Sequence, residues 1–252
     1  MISLYDCALN GVSLSSLSER ICILDIRESA PRLRQTSLAL YPEGRQQYQL
    51  QRDSITLQIV FAVHEENPEL RSLVFQHIRS WAASGGVLTV SDHPGLQLTV
   101  ICTELPSVTS EDWTEKCVLS FQTTRCPYWE DAAETIVSGS GTMSVHLPGT
   151  ASFAPVNALI LNDGDAPITR ITVQAADSRM TFEGIHLPAG RLMLLNQTDG
   201  PLKAWAAGQS VLHCRTADSD DQLLLPCGQE SLVCTDADGT AFTTFTVRGR
   251  YV

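Results

Sequence analysis

The chain has 252 residues, of which 43% are hydrophobic and 18% charged, enough apolar content for one or two packed cores and too much for a disordered chain. Its net charge of −11 repels phosphate, which argues against sequence-specific nucleic-acid binding yet lets DNA pass nearby without sticking. No apolar run approaches the ~18 residues of a membrane-spanning helix, and the opening MISLYDCALNGVSL shows neither the basic region nor the apolar stretch of a signal peptide.

The first elements expected are strands, at ERICILDIRES and QTSLALYPEG. The clearest strand is SITLQIVFAV, where Ile55, Leu57, Ile59, Phe61 and Val63 recur at every second position, with Val60 as the exception. Asn67-Pro68-Glu69 then reads as a helix start: an N-cap, a proline in the first turn and an acid near the helix N-terminus. Leu70, Leu73, Val74, Ile78 and Trp81 form the expected apolar face, and Arg71, Gln76 and Arg79 the polar one. Gly85-Gly86 supplies the stop. A strand GVLTV follows, then a turn at Asp92-His93-Pro94-Gly95. LQLTVICTE comes next, with Leu96, Leu98, Val100 and Cys102 on one face, then the acidic loop SVTSEDWTE and the strand KCVLSFQT. One long helix among these strands predicts an α+β N-terminal domain, a helix on a β-sandwich.

Gly, Ser and Pro rise and periodicity weakens between about residues 126 and 155, which places a domain boundary there. The expected division is a domain over 1–132 and a linker with a second domain over 133–252. From Val156 onward the helical period vanishes. NALILNDGDAP, ITRITVQAADSRMTFEGIHLPAG and RLMLLNQTDGPLKAW alternate strands with turn residues, the last around Thr198-Asp199-Gly200-Pro201. ESLVCTDADGTAFTTFTVRGRYV reads as a terminal hairpin around Asp236-Ala237-Asp238-Gly239. About seven strands at 8–12-residue spacing predict a β-sandwich or jelly roll, so the chain as a whole is mainly β.

No residue set carries a reaction. Asp92 beside His93 invites a catalytic or metal reading, but no partner is visible and an Asp-His-Pro-Gly turn is sufficient explanation. His64, His77, His93, His146, His186 and His213 form no HxH or HExxH spacing. No serine lies in a G-x-S-x-G setting. Asp218-Ser219-Asp220-Asp221 and Asp236-Ala237-Asp238-Gly239 lack the rest of a calcium loop. The eight cysteines, among them Cys102, Cys117 and Cys234 inside strand runs, form no CxxC pair and are expected reduced, in a protein made in a cytoplasm. Trp81, Trp113, Trp129 and Trp205 keep a carbohydrate-binding module open as the alternative, with Trp113 the candidate exposed ring. The expectation is therefore no enzyme, with no catalytic, cofactor-binding or metal residues, no cofactor and no membrane insertion.

The order of the pieces resembles the distal tail protein family of long-tailed bacteriophages, the hub of the tail tip. The resemblance rests on QRDSITLQIVFAV, the helix ending near Trp81, and Gly86, Leu88, Asp92 and Pro94 after it. Pro127-Tyr128-Trp129 at the boundary and DDQLLLPCGQESLVCTDADG with TTFTVRGRYV at the end complete it. Two places depart from the family pattern: Cys227 splits Pro226 from Gly228, with Glu230 near an expected Asn, and the loop before the main strand is Pro42-Glu43-Gly44-Arg45. The resemblance implies a ring-forming N-terminal domain, a galectin-like C-terminal sandwich without retained sugar binding, and a homo-hexamer at the virion tail tip. It implies as partners the tail tube protein, the tape-measure protein and a tip or fibre protein, with DNA crossing the ring during genome ejection.

Overall fold

The computed structural model describes residues 5–29, 31, 33–40, 45–106, 116–124, 126–198 and 201–252, and within 33–40 and 45–51 only the backbone. All of SVTSEDWTE, including Trp113, lies outside them, as do Pro42–Gly44 and Asp199-Gly200. The chain divides into two compact units, Met1–Trp129 and Glu130–Val252. It is mainly β, with one α-helix among the described residues.

The first unit opens with β1 (Cys7–Leu9), β2 (Val12–Ser13), β3 (Ile21–Ser29) and a separate ladder of β4 (Leu33–Leu40) with β5 (Arg45–Arg52). It continues with β6 (Thr56–Val63), α1 (Pro68–Ala83), β7 (Gly86–Val90), β8 (Leu96–Glu104) and β9 (Cys117–Thr123). The main sheet is antiparallel, in the order β2-β1-β7-β8-β9-β6-β3. β6 lies between β9 and β3, and its alternation is that read from the sequence: Leu57, Ile59, Phe61 and Val63 are buried. Val60 and Ala62 are buried too, so the far half of β6 is covered on both faces and the period of two fades there.

The helix starts as its sequence predicts. The Asn67 side chain accepts from the N–H of Glu69 at 2.9 Å and of Leu70 at 3.4 Å, and Pro68 leads the first turn. Its buried face, however, is Arg71, Phe75, Ile78 and Ala82, while Leu70 and Leu73 are each 49% exposed. The predicted stripe is therefore rotated. Phe75 is the reason: its large ring packs at 6.3 Å from Phe61 on the sheet, and the helix turns to seat it. Trp81 flanks this face, edge-on to Phe121 at 6.1 Å, with its indole N–H donated to the Val12 carbonyl at 2.9 Å.

The helix end is held by a clamp. Asn10 sits at φ 52° in the β1–β2 turn. Its side-chain amide donates to the Gly85 carbonyl and accepts from the Val87 N–H, both at 2.9 Å, and its own N–H reaches the Val87 carbonyl at 2.8 Å. Gly86, at φ 127°, leaves room for that side chain, since a Cβ there would lie 2.1 Å from the Asn10 Oδ1.

β10 (Trp129–Asp131) carries the chain across the division. The Gly- and Ser-richer stretch after it forms β11 (Thr135–Gly139), β12 (Thr142–Leu147) and β13 (Phe153–Pro155). Next come β14 (Asn157–Asn162), β15 (Ile168–Ala175), β16 (Ser178–Leu187), β17 (Leu192–Asn196), β18 (Lys203–Ala206) and β19 (Gln209–Ser210). The chain ends with β20 (Leu224–Pro226), β21 (Gln229–Ala237), β22 (Ala241–Val247) and β23 (Arg250–Tyr251). A six-stranded sheet, β11-β22-β14-β17-β18-β19, and a four-stranded sheet, β12-β21-β15-β16, enclose one core of Ile160, Val173, Phe182, Leu195 and Phe245 among others.

The predicted terminal hairpin is not one. β21 pairs with β12 and β15, and β22 with β11 and β14, so the Asp238-Gly239 reversal carries the chain from one sheet to the other. Thr243 and Thr235 meet across the core through a 2.9 Å hydroxyl hydrogen bond. Buried Asn162 is satisfied in the same spirit: its amide donates to the Ala166 and Leu187 carbonyls and its oxygen accepts from the Gly164 N–H.

Gly86→Ala is expected to destabilise the first unit by about 2–4 kcal/mol, from left-handed backbone strain plus the loss of the Asn10 hydrogen bonds. Urea unfolding followed by tryptophan emission measures this. An unchanged midpoint contradicts the clamp.

Candidate functional site

The Asp92-His93 turn joins β7 to β8 and closes on its own backbone. The His93 N–H donates to the Val90 carbonyl at 3.3 Å, the Leu96 N–H to the His93 carbonyl at 3.1 Å, and Gly95 takes φ 82°. Asp92 makes no side-chain cap to this turn; its carboxylate accepts a long 3.4 Å bond from the Ser91 hydroxyl. The carboxylate at His93 comes from β3 instead. Glu28 Oε2 lies 3.3 Å from His93 Nε2 and accepts the Trp129 indole N–H at 3.2 Å. The His93 ring lies over Trp129 at 4.3 Å between centroids. His93 is half-buried, Glu28 is exposed and Trp129 is buried. A histidine, a carboxylate and an indole thus tie the end of β3, the β7–β8 turn and the Pro127-Tyr128-Trp129 segment together. Tyr128 is gripped as well, with the Arg52 guanidinium carbon 5.1 Å from its ring centroid. Sequence spacing could flag Tyr128-Trp129, but nothing local names Glu28 as their partner.

The other histidines stand apart. His77, His146, His186 and His213 are exposed and His64 is half-buried. Among the described residues no group of three His, Cys, Asp or Glu side chains is arranged to hold a metal, and no helix is long and apolar enough to cross a membrane. All eight cysteines are free thiols. Burial raises the Cys7 thiol far above its ordinary value, and burial likewise raises those of Cys102, Cys227 and Cys234, which disfavours the nucleophilic thiolate.

The acidic clusters have neighbours within the protein. Asp218 pairs with Arg179 at 3.1 Å, Asp220 accepts the Arg179 main-chain N–H at 2.7 Å, and Asp221 pairs with Arg215 at 2.9 Å. Asp238 accepts from the Thr169 hydroxyl and from its N–H at 2.9 Å. The Thr169 hydroxyl, and after it the main chain at Thr169 and Arg170, hold the Asp238 carboxyl below its ordinary range.

A cavity of about 770 Å³ lies in the second unit, lined by Ser152, Phe153, Asp177, Asp220, Asp221 and Gln222 among others. Phe153 is 53% exposed at its wall, as a sugar-stacking ring would be. Part of its polar lining is already engaged within the protein. Asp220 and Asp221 are engaged as above, and the Ser178 hydroxyl donates to the Ala175 carbonyl and accepts from the Leu224 N–H, both at 2.7 Å. Among the described tryptophans, Trp81 and Trp129 belong to the first unit and Trp205 to the second. Trp205 is 46% exposed on the outer face of the six-stranded sheet.

Solved structures resemble the whole chain. The SPP1 Dit (gp 19.1) protein, described as a paradigm of the hub adsorption apparatus in phages infecting Gram-positive hosts, aligns at TM-score 0.68 and 13% identity, covering 98% of this chain and 99% of that one. A chain of the phage P2 baseplate in its activated conformation with Ca aligns at TM-score 0.45 and 9% identity, over 99% and 98% of the two chains. Its counterpart with Sr aligns at 0.43 and 8%, over 97% of each. No family model matches the sequence, and no curated protein matches it. At 13% identity the SPP1 likeness establishes a shared fold.

Because the folded Asp238 value is depressed, its contribution is present above the ordinary carboxylate pKa of ~3.9 and is lost as pH falls through the depressed value. Asp238→Asn is therefore expected to lower the urea midpoint near neutrality and to flatten its decline on acidification. Parallel pH profiles for the two proteins contradict this.

Proposed function

We propose that this chain is a structural protein of a phage tail tip, without catalytic activity, whose copies form a ring between the tail tube and the receptor-binding apparatus. The observation that carries the reading is the fold shared with SPP1 Dit across both units and nearly the full length of both chains. A single-unit likeness would speak only for a common sandwich; the pairing of a one-helix β unit with a ten-strand sandwich is far more particular.

The ring is a homo-hexamer of first units in this reading, and the galectin-like second units surround it. The sheet of the first unit ends at β2 and β3, and closing a ring of copies is one way to cover such edges. Its partners are the tail tube protein, the tape-measure protein and a tip or fibre protein. The net charge of −11 suits a wall along which DNA slides, because few cations are offered to its phosphates. No specific nucleic-acid contact is needed, and the location is the virion, after synthesis in the host cytoplasm.

Size-exclusion chromatography with light scattering is expected to give about six times the 27.5 kDa chain mass, or a multiple of it, with annular particles in negative stain. A monodisperse monomer at every concentration, alone and with its tube protein, contradicts the ring.

A further inference from the structure

The six-stranded sheet of the second unit carries apolar side chains on both faces. Its inner face is the core, with Ala158, Ile160, Met193, Leu195, Ala204 and Phe245 buried. The outer positions of the same strands carry Leu159, Leu192, Leu194, Trp205 and Phe242, between 39% and 47% exposed, with Leu161 half-buried among them. Strand register makes these a continuous surface. Ser138, Thr244, Leu159, Leu194, Trp205 and Ser210 are successive partners, one row running unbroken across all six strands. Phe242, Leu161 and Leu192 form a second row beside it. Partners in such rows have Cβ atoms ~5 Å apart, so the side chains touch.

We infer that this outer sheet face is an isologous interface with the same face of a second copy of the chain. Three observations point to a copy over another occupant. First, the size fits. Six strands ~4.8 Å apart and three rows ~6.8 Å apart, the third and more polar one carrying Ile136, Thr246, Asn157, Asn196 and Lys203, span about 600 Å² in projection, of the order of the ~800 Å² that each partner contributes to a standard stable interface.

Second, the charge fits. The outward positions on these six strands include no acid, and Lys203 is their one charged residue. In a chain of net charge −11 this is a face where two copies meet without opposing carboxylates. A partner recognising the acidic surface through cations would find nothing to pair with here, and a sugar would find mostly leucine. Third, the packing is one this unit already uses: sheet against sheet with apolar rows interleaved. An isologous contact pairs copies two by two, so it is distinct from any head-to-tail contact that closes a ring. The inference does not rest on the ring.

Sedimentation velocity of the full chain over a concentration series tests it. Wild type is expected to double its particle mass with rising concentration, one copy to two or one ring to two. Leu194→Asp and Leu159→Asp place a charge at half-exposed positions in the row, so they are expected to weaken doubling at least about a hundredfold while circular dichroism and melting stay unchanged. Leu232→Asp is the control: Leu232 is 58% exposed, on β21 of the other sheet, and its loss should leave doubling intact. Any ring mass should persist in all three variants, which separates this contact from the ring. Wild type that never doubles overturns the inference. So does doubling that survives Leu194→Asp, or a face that captures a different tail protein in place of its own copy.

Discussion

An antiparallel strand sends successive side chains to opposite sides, and every residue of this protein's strands has to answer for the side it is given. In the first unit that constraint concentrates on β6. Leu57, Ile59 and Phe61 face a core completed by Phe75 and Ile78 of α1. The helix is therefore placed by one aromatic pair, its N-terminus by the Asn67 cap, and its exit by Asn10 threaded beside Gly86. Each of these fixes a direction of the chain. Together they orient the β7–β8 turn, whose His93 then finds Glu28 and Trp129. The residues that look most like chemistry in this unit are thus held as a clasp.

In the second unit the same constraint has a remainder. Two sheets enclose the inner rows completely, and the polar groups of that core, Asn162, Thr235 and Thr243, are paired. The acids that might suggest a metal or a sugar contact support turns and strand ends within the protein. What remains exposed on the six-stranded sheet includes the apolar cluster of Leu159, Leu192, Leu194, Trp205 and Phe242. Such a face suits contact with another surface, in keeping with the scaffold role proposed above.

Much of this was legible in the sequence because the signals are local. The alternation of Ile55 to Val63, the Asn67-Pro68 cap and the Gly85-Gly86 stop each depend on neighbours within a few residues. The misreadings share a cause in long-range packing. A 3.6-residue period fitted a stripe through Leu70 and Leu73 as well as one through Phe75, and only the facing Phe61 decides between them. The Asp236–Gly239 turn chemistry serves a hairpin and a crossover between sheets equally, since both need a tight reversal. Glu28 is remote from His93 in sequence, so no spacing rule joins them. RLMLLN announces apolar side chains on both faces of β17, but the sequence does not say that one face is left bare.

The most direct test of this account is a cryo-EM map of the purified full-length protein at side-chain resolution. The account predicts closed multi-subunit particles, with protein density covering Leu159, Leu194 and Trp205 and with His93 stacked on Trp129 beside Glu28. Lone subunits with that row bare, and an open polar cleft around His93, would contradict it.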